Sequence, residues 1–392
     1  MRVLIFAPQF EKGALELLQK ELACTLNHFQ IKVFTLNTNV EESKKNFLKL
    51  DLTKKGISKV FFQDLPLNPN IVQILIGIFK LRILLKKEKI DIIETSSESL
   101  SILTILSCIG LKVHHVIGIH KSYNKKKVNF NFFKELVFLF LSKLRANTHF
   151  YAVSNWSKNS WINFSKIKEK KVKVITNSIK ISDYKENSVS FKKKLLSELG
   201  IPNDSKLILS VGRICFHKRQ DFIIESLAPI LKKNNNFLIF IGEVDLGMKG
   251  SLETIRNIKK LIKRYDIKSN VRFLGFRNDV KKIMSISDVF VHSTLTEAFG
   301  LVLLEAMGYG LPIVSTRVDA IPELVSENDN FLVGENDLES FRNCVEITLK
   351  RGQKYKLEIS KRNINLAKNK NFSPEERTRK MVNYFNEILK IK

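Results

Sequence analysis

Residues 296–316 read TEAFGLVLLEAMGYGLPIVST, an apolar run broken by glutamates at 297 and 305. It divides into a loop (TEAFG), a helix (LVLLEAMGYG) and the start of a strand (LPIVST). The strand DVFVHS (288–293) feeds the loop, so the stretch predicts one strand–helix–strand unit of a parallel sheet. Glu297 stands at the mouth of the run, and Glu305 falls where a buried helix is expected. A buried carboxylate is costly unless something pairs with it. Both glutamates therefore ask for partners.

Outward from this unit the same alternation continues. VLIFA (3–7), IKVFTLN (31–37), IDIIETS (90–96), KVHHVIGIH (112–120), FYAVS (150–154) and VKVITN (172–177) mark strands in the first half. LILSVG (207–212), FLIFIGE (237–243), VRFLG (271–275), LPIVSTR (311–317) and FLVG (331–334) mark them in the second. Amphipathic stretches such as ALELLQKELACTLN and QDFIIESLAPILKK lie between, as helices covering both faces of parallel sheets do. A chain of 392 residues exceeds one ordinary core. The pattern predicts an α/β protein of two Rossmann-like domains, residues 1–183 and 184–372, with the seam in the polar stretch 178–194. In FSPEERTRKMVNYFNEILK, Ser373 as N-cap, Pro374 at N1 and Glu376 at N3 predict a capping box opening a last helix, 373–392.

Composition bounds the function. MRVLIFAPQF turns polar too early for a secretory leader and reads as a first strand. IVQILIGIFKLRILL is broken by Lys80 and Arg82, and no window nears ~20 uninterrupted apolar residues. A soluble or peripheral protein is expected. Cys24, Cys108, Cys215 and Cys344 show no CxxC spacing and read as reduced packing residues of a cytoplasmic protein. The seven histidines show no HExxH or other metal spacing, and adjacent His114 and His115 would point to opposite faces of a strand, so no protein metal site is expected. Net charge is +27, and between 101 and 180 fifteen Lys/Arg meet two acids, Glu135 and Glu169. Both a face that meets something anionic and an inert solvated face filled by lysine-rich codon usage account for this.

Chemistry in such sheets gathers at the carboxyl ends of the strands. Arg213 and Lys218 follow LILSVG, where an anion would sit; an Arg grips two phosphate oxygens and a Lys adds a movable charge. Alone, two loop cations in a basic protein are ordinary surface charge. Gly300, however, opens the helix after DVFVHS, where free N–H groups and the dipole attract phosphate. Glu297 before that helix and Glu305 within it offer acceptors to vicinal hydroxyls, as sugars and ribose present them.

TEAFGLVLLEAMGYGLPIVSTRVDAIPELV resembles the E-x7-E region of family 4 retaining glycosyltransferases, of GT-B fold, and SVGRICFHKRQDFIIESL resembles their G-R-x4-K segment. VRFLGFRNDVKKIMSISDVFVHST is similar to the segment between them, and the likeness spans nearly the whole chain. It implies two Rossmann-like domains facing across a cleft, the last helix crossing back to the first. Arg213 and Lys218 would neutralise the donor's leaving diphosphate, Glu297 would contact the donor sugar and Glu305 the ribose. Backbone amides near Phe299, Gly300 and Leu301 would hold phosphate, and the basic pair would keep both glutamates ionised. His120, after VIGIH, matches the family's histidine near acceptor and donor sugar. The glycine-rich loop after the first strand is reduced to Gly13; NSIK (177–180) replaces NGID, and Asp319-Ala320 replaces GG.

The implied reaction is a metal-independent hexosyl transfer that retains anomeric configuration. The donor would be a nucleoside-diphosphate sugar and the acceptor a hydroxyl of a glycan or lipid-linked molecule. No cofactor is implied, and bacterial surface polysaccharide or lipopolysaccharide assembly is the expected setting, in the cytoplasm or at the inner face of the cell membrane. A GT-B nucleotide-sugar epimerase would need further cleft carboxylates. A nucleic-acid-binding protein would interleave cations with exposed aromatics, and no nucleic-acid partner is expected. KKKVNFNFFKELVFLFLSKLR (125–145) comes closest to that pattern, but its amphipathic spacing fits docking on an anionic membrane through the first domain, or a core-facing helix with solvated lysines.

Overall fold

A computed structural model of the chain describes residues 1–7, 14–38, 42–63, 70–123, 132–180, 189–233, 235–248, 250–327, 330–369 and 372–390. The chain forms two compact units, Met1–Ser178 with Phe372–Lys392, and Ile179–Asn371.

The first unit is built on seven parallel strands: β1 (Arg2–Ala7), β2 (Lys32–Thr38), β3 (Lys59–Gln63), β4 (Ile92–Thr95), β5 (His114–Ile119), β6 (Thr148–Ala152) and β7 (Val172–Val174), in the order β3-β2-β1-β4-β5-β6-β7. In register, Val3 pairs with Val33 on one side and Ile92 on the other. β1 and β4 are buried along almost their whole length because helices cover both faces, which is why they read as unbroken apolar runs. Phe6, Phe34, Leu81, Leu85 and Leu100 fill one core; Ile117, Phe138, Phe150 and Trp161 fill another. Each such side chain contributes roughly 1.5–3 kcal/mol when fully buried. The last helix, Pro374–Leu389, belongs to this unit: Thr378 Oγ1 meets Thr25 Oγ1 at 2.6 Å, and the Tyr384 hydroxyl donates to the Phe150 carbonyl at 2.9 Å. Its cap departs from expectation. Ser373 Oγ accepts the Glu376 N–H at 3.2 Å, while the Glu376 carboxylate turns to Arg379 at 2.7 Å rather than closing the box.

The second unit carries six parallel strands: β8 (Lys206–Val211), β9 (Asn236–Ile241), β10 (Val271–Phe273), β11 (Val289–His292), β12 (Ile313–Thr316) and β13 (Phe331–Val333), in the order β10-β9-β8-β11-β12-β13. The helix Gln220–Lys233 buries Phe222, Ile223, Leu227 and Leu231 against this sheet, with Phe341 edge-on to Phe222 at 5.2 Å. Asp221 in its first turn and Lys232 and Lys233 in its last complement the helix dipole. Strand order reverses between β1 and β4 in one sheet and between β8 and β11 in the other. Loops diverge at such a reversal and leave a crevice at the carboxyl ends.

Candidate active site

In the second unit the reversal point brings Lys218 and Glu297 together from two loops. Ser293 Oγ donates to the Lys218 carbonyl at 2.9 Å and the Arg219 carbonyl at 2.8 Å, and the Leu295 N–H donates to the His217 carbonyl at 2.8 Å. These bonds stitch the loop after β8 to the loop after β11 and bring Lys218 Nζ to 2.8 Å from Glu297 Oε2. His292, at the end of β11, places Nε2 at 3.6 Å from the same oxygen. Burial opposes the charge on Glu297, but Lys218 and then His292 overcome it and hold the carboxyl far below the usual carboxylate range. Burial pushes His292 down, so the ring stays neutral near pH 7 and Lys218 supplies the countercharge.

Asp319 sets the other side of Glu297. Its Oδ2 accepts the Thr296 hydroxyl at 2.8 Å and the Glu297 N–H at 3.1 Å, and the Ala320 N–H donates to the Glu297 carbonyl at 3.2 Å. Asp319 adopts φ 47°, a left-handed conformation that Asp tolerates better than most residues. The replacement of a glycine pair by Asp319-Ala320 thus brings in a side chain that fixes the Glu297 backbone.

Arg213 does not join this cluster. Its guanidinium pairs with Asp245 at 2.5 Å and its side chain is 71% exposed. The expectation that Arg213 and Lys218 together keep both glutamates ionised is therefore corrected: Lys218 serves Glu297 alone. Glu305, on the helix Leu301–Gly308, has no ion pair or side-chain hydrogen bond among the described residues. Burial raises its pKa, with Lys281 acting weakly in the opposite direction. A half-buried carboxyl without a partner is costly to keep, and hydroxyl donors of a ligand would relieve it.

Gly300 precedes this helix at φ 95°; a Cβ there would lie 3.1 Å from Leu303 Cδ1 and 3.4 Å from Leu324 Cδ2. Its carbonyl accepts the Leu303 and Leu304 N–H groups at 3.0 and 3.1 Å. The amides of Leu301 and Val302 thus come before the first bond of the helix, while Phe299 is buried.

The first unit holds a second polar cluster. Gly13 lies outside the described residues. His120, just past β5, lines a cavity of about 360 Å³ together with Ser96, Glu98, Gly118, Lys121 and Tyr123. Glu94 at the end of β4 is fully buried and accepts from Gln19 Nε2 at 3.0 Å, Ser96 Oγ at 2.7 Å and Tyr151 Oη at 2.9 Å. The Tyr151 proton is committed to Glu94, so the 3.2 Å contact between Tyr151 Oη and His120 Nε2 has the imidazole N–H as donor. Nδ1 is then the ring's acceptor. Burial first, and the Arg377 charge second, lower the His120 pKa to about 3, so the ring is neutral. Gly118 makes room for this arrangement: a Cβ there would come within 2.6 Å of Tyr151 Oη and 2.7 Å of both His120 Nε2 and Ser96 Oγ.

Two family models match this chain: Glycosyl transferases group 1 over residues 191–366, and Glycosyltransferase Family 4 over residues 21–183. The chain belongs to the family 4, group 1 glycosyltransferases. It is 28% identical over 309 residues to the UDP-Gal:alpha-D-GlcNAc-diphosphoundecaprenol alpha-1,3-galactosyltransferase of Escherichia coli, covering 75% of this chain and 76% of that one. The lipopolysaccharide glucosyltransferase WaaG of Escherichia coli is 35% identical over 121 residues, 30% of each chain. Among solved structures, a glycosyltransferase from Rickettsia africae superposes with a TM-score of 0.81 at 20% identity, covering 100% of this chain and 99% of that one. Anabaena Alr3699/HepE in complex with UDP-glucose gives 0.79 at 20% identity, covering 99% and 100%. The fold of this glycosyltransferase is GT-B.

Sequence reasoning did not find His292, Asp245 or the Glu94–Tyr151 pair. His292 was legible only as part of the strand DVFVHS, and Glu94 hid inside IDIIETS, where a carboxylate amid apolar residues was the available signal. Among the described residues no cluster of three or more His, Cys, Asp or Glu could hold a metal ion.

Proposed function

We propose that this glycosyltransferase moves a hexose from a nucleoside-diphosphate sugar to a hydroxyl of a glycan or lipid-linked acceptor, with retention at the anomeric carbon. The observation that carries the reading is the pairing of an ionised, Lys218-held Glu297 with an unpartnered Glu305 at one helix start. Glu297 would accept hydroxyls of the donor sugar, and Glu305 those of the ribose. The amides of Leu301 and Val302, with Lys218 and Arg213, would hold the diphosphate, which leaves with the C1–O electron pair as charge builds on it. Both carboxylates are thereby assigned to binding, so the acceptor oxygen attacks the face the diphosphate leaves. A departing phosphate oxygen takes the acceptor proton. His120, neutral and with Nδ1 as acceptor, would orient the acceptor hydroxyl in the first unit.

Likeness to a galactosyltransferase whose name specifies UDP-Gal and a diphosphoundecaprenol-linked acceptor supports a UDP-sugar donor and a lipid-linked acceptor. Likeness to WaaG supports a place in lipopolysaccharide or related surface polysaccharide assembly.

The test is transfer from UDP-galactose, UDP-glucose and UDP-N-acetylglucosamine to a diphosphoundecaprenol-linked sugar, with the product's anomeric configuration read by NMR. Calorimetry should show Glu305→Ala weakening UDP itself and Glu297→Ala sparing UDP while reducing transfer. Equal losses of UDP affinity would refute the separate assignments, and an inverted product would refute retention.

A further inference from the structure

We infer that the helix Ile71–Lys87 of the first unit is a docking surface for an anionic lipid bilayer, lying in the interface rather than crossing it. The inference deepens the reading of a lipid-linked acceptor, and its test uses neither donor nor acceptor.

The helix is apolar on two opposite sides. Gly77, Leu81 and Leu85 are buried, with Ile78 and Leu84 packed beside them. Ile71, Val72, Leu75, Ile76, Phe79 and Ile83 are 49–76% exposed. At about 100° per residue those six occupy an arc of roughly 140°, away from the core-facing stripe. A helix on a water-facing surface carries polar residues there instead. Contiguous exposed apolar surface of this kind marks a partner.

Neighbouring elements expose further apolar side chains. The helix Ile71–Lys87 packs against the helix Glu98–Ser107, which packs against the helix Phe132–Leu144. The last exposes Leu136, Phe140 and Leu144, four residues apart on one side. Arg82 Nη1 donates to the carbonyl of Ile109, itself 59% exposed, and so joins that residue to the first helix.

Charge selects the occupant. Residues 71–87 contain no acid, and Lys80, Lys86 and Lys87 are exposed among or beside the apolar side chains. Lysines around an amphipathic face attract anionic headgroups while the apolar side chains enter the acyl boundary. No helix among the described residues is long and apolar enough to cross a membrane, which fits a helix lying in the interface plane. The Phe-rich stretch 125–145 therefore contributes through Leu136, Phe140 and Leu144; Lys125, Lys126 and Lys127 lie outside the described residues.

The experiment is sedimentation with vesicles of equal parts phosphatidylglycerol and phosphatidylcholine, compared with phosphatidylcholine alone. The full chain should bind the mixed vesicles, ignore the neutral ones, and dissociate as salt shortens the Debye length to about 8 Å at physiological strength. The double variant Leu75→Ser, Phe79→Ser should bind at least about tenfold more weakly, with little change in melting profile because both side chains are mostly exposed. Phe140→Ser, on the neighbouring helix, should weaken binding less. Failure of the wild-type chain to bind mixed vesicles at low salt would overturn the inference. So would full binding by the double variant, or a wild-type dimer in solution that the double variant splits, which would assign the face to a second copy of the chain.

Discussion

Lys218→Met should expose how much the second unit's site depends on one ion pair. Lys218 Nζ and Glu297 Oε2 are 2.8 Å apart, with the Glu297 side chain 16% and the Lys218 side chain 28% exposed. Unit charges about 4 Å apart attract by about 4 kcal/mol at an effective dielectric near 20, and desolvation cancels part of this. Removing one partner of a fully buried pair costs about 3–5 kcal/mol, because the other charge is stranded. Partial exposure here lets water reach the orphan, so roughly 2–3 kcal/mol is expected. Lys218→Met with Glu297→Gln leaves no stranded charge and should recover most of that loss, a coupling of at least about 1.5 kcal/mol. Both tryptophans, Trp156 and Trp161, lie in the first unit, so fluorescence would not read this change. Hydrogen exchange by mass spectrometry on peptides spanning β8 and β11 would.

The sign against pH is fixed by the downward shift of Glu297. The pair's contribution is complete above the ordinary glutamate value, about 4.3, and is lost as pH falls from there toward the lower folded value. The difference between wild type and Lys218→Met should therefore be full at pH 7 and shrink below about pH 4. Additive single-variant costs at pH 7, or a gap that persists unchanged in acid, would refute the reasoning.

Arg213→Ala should leave folding intact, since its guanidinium sits in an exposed pair with Asp245, yet cost about 2–4 kcal/mol in kcat/KM if it meets the leaving diphosphate; near-normal turnover would remove it from the site. Tyr151→Phe should remove the acceptor that fixes the His120 proton on Nε2, so 15N NMR of the imidazole should change from one tautomer to a mixture and transfer should fall several-fold; an unchanged spectrum would refute the chain from Glu94. His120→Gln should lower the proton uptake on unfolding by about one between pH 3 and 6.5, because the folded value of about 3 makes stability fall as pH drops through that window; unchanged uptake would show that the ring is not held neutral.

The fold was legible because doubly buried parallel strands announce themselves as apolar runs, and LILSVG and DVFVHS do so plainly. The ends of those strands also predicted where Lys218 and Glu297 would lie. Their mutual contact was not legible, since it depends on Ser293 and on the Leu295 amide, which tie two loops 74 or more residues apart. Arg213 was misassigned as a partner of the glutamates for the same reason: its neighbour Asp245 comes from the loop after β9, and no local spacing connects the two. Glu94 is legible only once Tyr151, 57 residues later on β6, is brought beside it across the intervening strand β5. Position in the fold follows periodicity, whereas ion-pair choice follows loop geometry that periodicity does not encode.

The last helix carries a consequence for synthesis. Arg377 is buried in the first unit, where it donates to the Leu18 carbonyl at 2.9 Å and its charge acts on Glu94 and His120. Everything from Ile179 to Asn371 is made between Ser178 and that helix. At about 5–20 residues per second, the first unit waits on the order of 10–40 s on the ribosome with the groove for its final helix open. During that interval the Leu18 carbonyl and the apolar side of the helix Ala14–Leu26 are available to any apolar segment. The second unit meanwhile has its whole sheet and can fold. In this protein, then, the half that is translated first is the half completed last.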